Sequence, residues 1–418
     1  MTTFSTSTVR RVLRDRAAGL CLATTVVSGF GSSALWLASG VWVKDITGSD
    51  GLAALCVFAL WAPTLAGPAL GALADRLRRR PLMITTNLFL AALLLPLTTV
   101  DSPARLWLLF AVLFLYGAAD AVHDAAESAL VGAAVDPELL GAFNGLRMTA
   151  REGMKLLAPL AGAGLYTVYG GPVVALLDAA TFVLAAGLCA LLRVRERHPA
   201  HPARASHPEA AAGAGIALGV RHVWGHPALR PLVMAAGTTM VLAALNGATV
   251  YAVVDRLGRA PAYAGVLYAS QGVGSVVIGV AAGPLLARLG GHRFAAAGIA
   301  LTAVAVAARA VPSAPVALAA GAVAGLGLPC ALIAVFTAVQ RETPEDLLGR
   351  ASAAANTLVF APNVLGLALG AALVETADLR LLLPLYALPL FATAALLAQC
   401  PDRASRTAAR SPSDANPA

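Results

Sequence analysis

Six charged side chains sit in two neighbouring apolar stretches, where charge is costly. Asp120, Asp124 and Glu127 fall at i, i+4 and i+7, and Arg147, Arg151 and Lys155 at i, i+4 and i+8. Each trio therefore shares one face of a helix. Two helices joined by a short segment run antiparallel, so residues equidistant from the connection meet. That pairs Asp120 with Lys155, Asp124 with Arg151, and Glu127 with Arg147. Ionisable groups inside a membrane pair with one another or face a cavity, because an uncompensated charge in hydrocarbon is expensive. Two readings stand. One is a structural ladder of ion pairs that neutralises itself. The other is a proton or substrate site with Asp120 and Lys155 deepest. His123, next to Asp124, titrates near neutral pH and adds a proton carrier to the second reading. Glu152 and Asp178 are further acids within apolar runs.

The composition says what must position these residues. Of 418 residues, 58% are hydrophobic and only 12% charged, with a mean hydropathy of +0.76. A soluble domain carries about 25% charged residues. A chain of this kind has too much apolar surface to hide from water, whereas lipid does not require it to be hidden. The net charge of +8 does not indicate nucleic acid, because the basic residues cluster in short segments between apolar runs. Heavy use of Ala, Gly and Arg points to a GC-rich bacterial genome. The five cysteines (Cys21, Cys56, Cys189, Cys330, Cys400) are scattered and form no CxxC, so neither a disulfide framework nor a metal site is expected.

A helix needs about 20 mostly apolar residues to span a bilayer. Twelve such stretches are expected: 17–43, 51–74, 82–100, 105–129, 144–168, 172–192, 231–254, 263–287, 294–311, 315–338, 351–374 and 380–399. The apolar run after the Arg-rich residues 1–16 is too long for a signal-peptide core, so a first span is expected there. With the N-terminus in the cytoplasm, 24 of the 30 Lys and Arg residues fall on the cytoplasmic side. The positive-inside rule then sets both termini inside, in a bacterial inner membrane.

The hydrophilic stretch 193–230 divides six spans from six. The expected organisation is a bundle at 1–192, a cytoplasmic linker at 193–230, a second bundle at 231–400 and a disordered tail at 401–418. His198, His201 and His207 in the linker each precede a proline, which works against a helical metal site. The halves echo each other: Gly71-Ala-Leu-Ala-Asp75-Arg76 follows the second span and Gly283-Pro-Leu-Leu-Ala287-Arg288 the eighth. Parallel six-helix repeats are an architecture of secondary transporters.

The segment Gly71-x-x-x-Asp75-Arg76-x-Arg78-Arg79-Arg80 resembles the signature of the major facilitator superfamily, with Arg78 replacing the usual Gly. Trp42-Val-Lys44-Asp45-Ile-Thr47-Gly48-Ser49, Leu177-Asp178-Ala-Ala-Thr181-Phe182, and the run from Gly219 to Arg230 resemble the branch of enterobactin exporters and macrolide-efflux-like proteins. The resemblance implies an all-α membrane protein of twelve transmembrane helices in two pseudo-symmetric six-helix bundles. It also implies a gating role for Gly71, Asp75, Arg76, Arg79 and Arg80, beside plain anchoring of the arginines at the cytoplasmic interface. Pro159 and Gly162 sit where antiporters of the superfamily carry a helix-five motif; a kink with close packing is the alternative. By the same analogy the cavity is lined by spans one, four, seven and ten, with Thr24, Thr25, Ser28, Tyr116, Asn246 and Thr249 as polar contacts and Gln271 joining them.

These observations lead to a secondary active transporter that moves a small molecule by alternating access. Proton-coupled efflux of a drug-like molecule, siderophore or secondary metabolite is the first expectation; uptake of a small organic solute is the alternative, and a non-transporting sensor a third. No catalytic set such as H-E-x-x-H or G-x-S-x-G is present, and neither lysine follows a Gly as a phosphate-loop lysine must, so an enzyme or ATP-driven pump is not expected. No cofactor is expected. The expected partners are substrate, protons and lipid, without nucleic acid, for a chain working as a monomer.

Overall fold

The computed structural model describes residues 6–66, 77–135, 137–192 and 218–400. Gly71, Asp75 and Arg76, most of the central linker and the tail 401–418 lie outside them, as do the side chains of Glu152 and Lys155. The described chain is a succession of helices: α1 (Thr6–Arg14), α2 (Arg16–Thr47), α3 (Asp50–Trp61), α4 (Arg79–Leu94), α5 (Leu106–Ala134), α6 (Pro137–Tyr169), α7 (Gly171–Leu191), α8 (Leu229–Ala248), α9 (Val250–Arg256), α10 (Ala264–Leu289), α11 (Gly291–Ala308), α12 (Ala314–Glu342), α13 (Glu345–Thr376) and α14 (Leu379–Ala398). Residues 218–225, inside the expected linker, are also helical.

Ten helical stretches among the described residues are long and apolar enough to cross a membrane. The other two expected spans are not among these ten. The second is described only as far as residue 66, as α3 followed by a 3-10 turn, Ala62–Ala66, the rest of it lying outside the described residues. The fifth is α6, 33 residues long, whose first half carries the basic trio. Its length of about 50 Å exceeds a bilayer core at 1.5 Å per residue.

Two compact units emerge from the contacts. One holds the described residues within 1–204, 247–272 and 367–377; the other holds those within 205–246, 273–366 and 378–418. In the first unit α2 packs along both α6 and α7, and α7 along α4. Leu35, Trp42, Leu90, Leu94, Leu113, Tyr116 and Phe182 form its main apolar cluster. In the second unit α11 packs against α12 and α14. Gly298 and Gly327 face each other so closely there that a Cβ on Gly298 would sit 2.3 Å from the Cβ of Cys330. Small residues let membrane helices approach in this way. Leu381 is 75% exposed, and Leu365 and Leu388 64% each. Such leucines are unfavourable in water and suited to lipid.

The junction of α2 and α3 shows how the Trp-x-x-x-x-Thr-Gly-Ser segment folds. Gly48 takes a left-handed conformation (φ 71°) and its N–H bonds the Lys44 carbonyl, closing α2. A residue with φ in this range is usually Gly because no Cβ clashes. Ser49 then caps α3, its Oγ accepting from Leu52 N at 3.0 Å. Trp42 lies against Gly171, where a Cβ would meet the indole ring at 2.1 Å.

Candidate functional site

Three groups of polar side chains are built into the first unit. The first joins α5 to α6. Arg151 Nη2 donates to Asp124 Oδ1 at 2.7 Å and to Glu127 Oε2 at 2.8 Å, while Arg147 Nη2 donates to Glu127 Oε2 at 2.5 Å. Asp124 and Arg151 meet as the spacing predicts, and so do Glu127 and Arg147; the Glu127–Arg151 bond is an addition. The ladder also reaches a third helix, because Thr25 on α2 donates to Glu127 Oε1 at 2.5 Å. Glu127 is 4% exposed. A buried carboxylate of this kind requires compensation, and two guanidiniums with a hydroxyl provide it.

His123 stands beside this ladder. The Asn87 amide donates to Met83 O at 2.7 Å and lies 3.2 Å from His123 Nε2, so that ring nitrogen is the acceptor. His123, Asp124 and Glu127 bring ligand-type atoms within 4.8 Å of one another. The carboxylate oxygens already face Arg147 and Arg151, whose positive charges oppose a metal ion at the same place. The cluster is an ion-paired joint.

The second group surrounds Asp178 on α7, which is 0% exposed. Tyr116 Oη on α5 donates to Ser32 Oγ at 2.7 Å and lies 3.2 Å from Asp178 Oδ2. Thr181 Oγ1 donates to the Asp178 carbonyl at 2.7 Å and lies 3.2 Å from Oδ1. Ser32 in turn donates to the Ser28 carbonyl at 2.9 Å. Helix α2 passes directly over the carboxyl: a Cβ on Gly31 would stand 2.3 Å from Asp178 Oδ1. Neither Asp178 nor Asp120 takes part in the ion pairs formed among the described residues.

The third group was not anticipated from sequence. Lys44 Nζ on α2 contacts Asp50 Oδ1 at 2.8 Å and Asp255 Oδ2 at 2.6 Å, and donates to Gly48 O at 2.8 Å. The Lys44 side chain is 7% exposed. Glu375 at the end of α13 accepts from Ser49 Oγ and from Gly51 N, both at 2.6 Å. Residues from both sequence halves thus converge on the α2–α3 turn. The one available signal was that Lys44 is one of two lysines in the chain.

The other expected site residues distribute as follows. Thr24, Thr25 and Ser28 are buried on α2; Thr24 and Ser28 each donate to a carbonyl one turn back, while Thr25, 3.1 Å from the Cys21 carbonyl, gives its hydrogen to the nearer Glu127. Tyr116 belongs to the Asp178 group. Thr249, at 0% exposure, precedes α9, and Gln271 lies on α10, both in the first unit; Asn246 falls in the second. Arg80 donates to the carbonyls of Cys189 at 3.3 Å and Ala190 at 2.5 Å, satisfying the C-terminus of α7. Pro159 lies inside α6. A Cβ on Gly162 would be 2.5 Å from Ala34 O, so this glycine provides close contact between α6 and α2. A separate cleft of about 390 Å³, lined by Asp45, Tyr166 and Pro261 among others, contains none of these groups.

Comparison with known proteins places this arrangement. Macrolide efflux protein A of Streptococcus pyogenes is 30% identical over 173 residues, which cover 40% of this chain and 42% of that relative. The match thus spans less than half of the relative's length. Among solved structures, the peptide transporter POT in complex with sulfate superposes with a TM-score of 0.71 at 15% identity, covering 94% of this chain and 95% of that one. A bacterial homologue of the iron transporter ferroportin in an inward-facing state gives 0.67 at 15% identity, over 92% and 99%. The nucleoside transporter NupG gives 0.67 at 14% identity, over 90% and 98%. At such identities these likenesses speak for the fold. The family model of the Major Facilitator Superfamily matches residues 21–367 and 233–417. The chain, an all-α, multi-pass membrane protein, belongs to the major facilitator superfamily of transporters.

Proposed function

We propose that the protein is a proton-coupled exporter of a bulky amphipathic molecule, such as a drug, siderophore or secondary metabolite, in a bacterial plasma membrane. The observation that carries this reading is Asp178, a fully buried carboxyl in a membrane-depth helix that joins no ion pair among the described residues. Asp120 is a second acid outside the pairs described there, its expected partner Lys155 lying beyond the described side chains. An ionisable residue at that depth is a functional-site hypothesis by default. Export is favoured over uptake by the relationship to a macrolide efflux protein, although that covers under half of the relative.

In this reading both termini are cytoplasmic and the chain works as a monomer. The halves 1–192 and 231–400 alternate access about the 193–230 connection, with 401–418 as a tail. Asp75 and the neighbouring arginines gate the cytoplasmic side. The Lys44 group then lies on the outer side and ties the α2–α3 turn to Asp255 and Glu375. Thr24, Thr25, Ser28, Tyr116, Asn246, Thr249 and Gln271 are the polar contacts offered to substrate.

Everted vesicles test the proposal. A pH-sensitive dye reports proton movement as amphipathic antibiotics and siderophores are added, with wild type compared with Asp75→Asn and Asp120→Asn. Compound-triggered proton movement, weakened in either variant, is the expected result. Silence of the wild type across the whole panel would defeat proton-coupled export.

A further inference from the structure

The Asp178 group contains a competition for hydrogens. Tyr116 has one O–H and two acceptors, Ser32 Oγ at 2.7 Å and Asp178 Oδ2 at 3.2 Å. Thr181 likewise has one O–H, which goes to the backbone carbonyl at 2.7 Å while Asp178 Oδ1 lies at 3.2 Å. In both cases the Asp178 carboxyl receives the longer arm. A buried carboxylate ordinarily draws short, charge-assisted bonds of about 2.5–2.9 Å. Glu127, with contacts of 2.5, 2.5 and 2.8 Å, shows that pattern in the same unit. The distances around Asp178 suit a neutral acid instead. A proton on Oδ2 makes the carboxyl the donor to Tyr116 Oη, and every hydrogen then runs one way: Asp178 to Tyr116, Tyr116 to Ser32, Ser32 to the Ser28 carbonyl at 2.9 Å. Among the described residues the ionisable group touching Asp178 is Tyr116, itself an acid, and no Lys, Arg or His forms an ion pair with the carboxyl.

We propose that Asp178 is the carboxyl that binds and releases the coupling proton, and that Tyr116 converts its state into the packing of α2. The proposal rests on the proton-coupled reading above. In the protonated state the chain of bonds ties α7 to α5 and α5 to α2. Release breaks the Oδ2–H bond, passes the proton to water admitted on one side, and leaves a carboxylate. That carboxylate claims the Tyr116 hydrogen, so the Tyr116–Ser32 bond between α5 and α2 is lost. It also leaves negative charge under the backbone of α2 at Gly31, where no side chain separates the two. Tyr116 is a positioning residue in this scheme; Asp178 is the proton site.

Infrared spectroscopy of the purified full-length protein tests this without a known substrate. A protonated carboxylic acid shows a C=O stretch outside the amide bands. The expected result, read in an Asp120→Asn background so that the other acid outside the ladder does not contribute, is such a band at neutral pH, absent when Asp178→Asn is added, retained when Glu127→Gln is added, and lost reversibly as pH is raised. Tyr116→Phe, which removes the competing hydrogen, should move the midpoint of that loss. The proposal is overturned if no such band is present, if it survives in Asp178→Asn, or if it persists at every pH the fold tolerates, which would make the proton a fixed structural one. Thermal unfolding of each variant, expected within a few degrees of wild type for Asp178→Asn, keeps misfolding separate from loss of the band. Silence in the vesicle assay with the band present would count against proton-coupled export and leave this proton site standing.

Discussion

Glu127 and Asp178 are both buried acids in one compact unit, at 4% and 0% exposure, yet their surroundings are opposite. Glu127 is held by two arginines and a threonine at 2.8 Å or less. Among the described residues, Asp178 is approached by two hydroxyls that bond more closely elsewhere. The first arrangement stabilises a charge where it is; the second allows a charge to come and go. Burial alone therefore does not make a carboxyl a proton site. The decisive feature is what becomes of the neighbours when the proton leaves.

The contrast can be broken in stages. The largest effect is expected from Glu127→Gln, which leaves Arg147 and Arg151 facing a neutral amide. Removing one partner of a buried pair costs about 3–5 kcal/mol. The variant should show a lower unfolding temperature in detergent; an unchanged one would mean that the ladder contributes nothing to the fold.

Gly31→Ala follows. Its new methyl would overlap Asp178 Oδ1 and Thr181 Oγ1, and overpacking of this sort costs about 1–3 kcal/mol. Because the clash falls on the proposed proton site, proton movement in vesicles should fall further than stability does. Equal loss of both would make Gly31 a packing residue only.

A smaller effect is expected from Tyr116→Phe, which removes a hydrogen bond worth about 1 kcal/mol. Chemical denaturation should register that modest loss, and infrared titration a displaced midpoint. The smallest stability change should belong to Asp178→Asn, about 1 kcal/mol or less, because the amide imitates a neutral acid. If Asp178→Asn instead destabilises as much as Glu127→Gln, Asp178 is a structural charge and the comparison collapses.

Spacing made part of this site legible. Helical periodicity and an antiparallel connection bring Asp124 to Arg151 and Glu127 to Arg147 without knowledge of any other helix. Local rules also explain Gly48 and Ser49, since a helix stop and the next N-cap involve neighbours in sequence. The Lys44 group could not be read in this way. Its partners Asp50 and Asp255 come from different halves of the chain, and nothing local marks Asp255 as the acid that reaches Lys44. Thr25 was legible as a polar residue on the first span, though not as a donor to Glu127.

The sequence by itself determined the solvent, the helices and two rungs of the ladder, Asp124–Arg151 and Glu127–Arg147, because hydropathy, charge bias and helical period depend on residues near one another in the chain; the third expected rung, Asp120–Lys155, lies outside the described residues. Only the tertiary structure decided which acids are compensated. Asp178 meets Tyr116 across a separation of 62 residues, and Gly31 lies over Asp178 and Thr181 through the packing of α2 on α7. A hydrogen bond forms or fails over a few tenths of an ångström, and that distance is set by how three helices pack together.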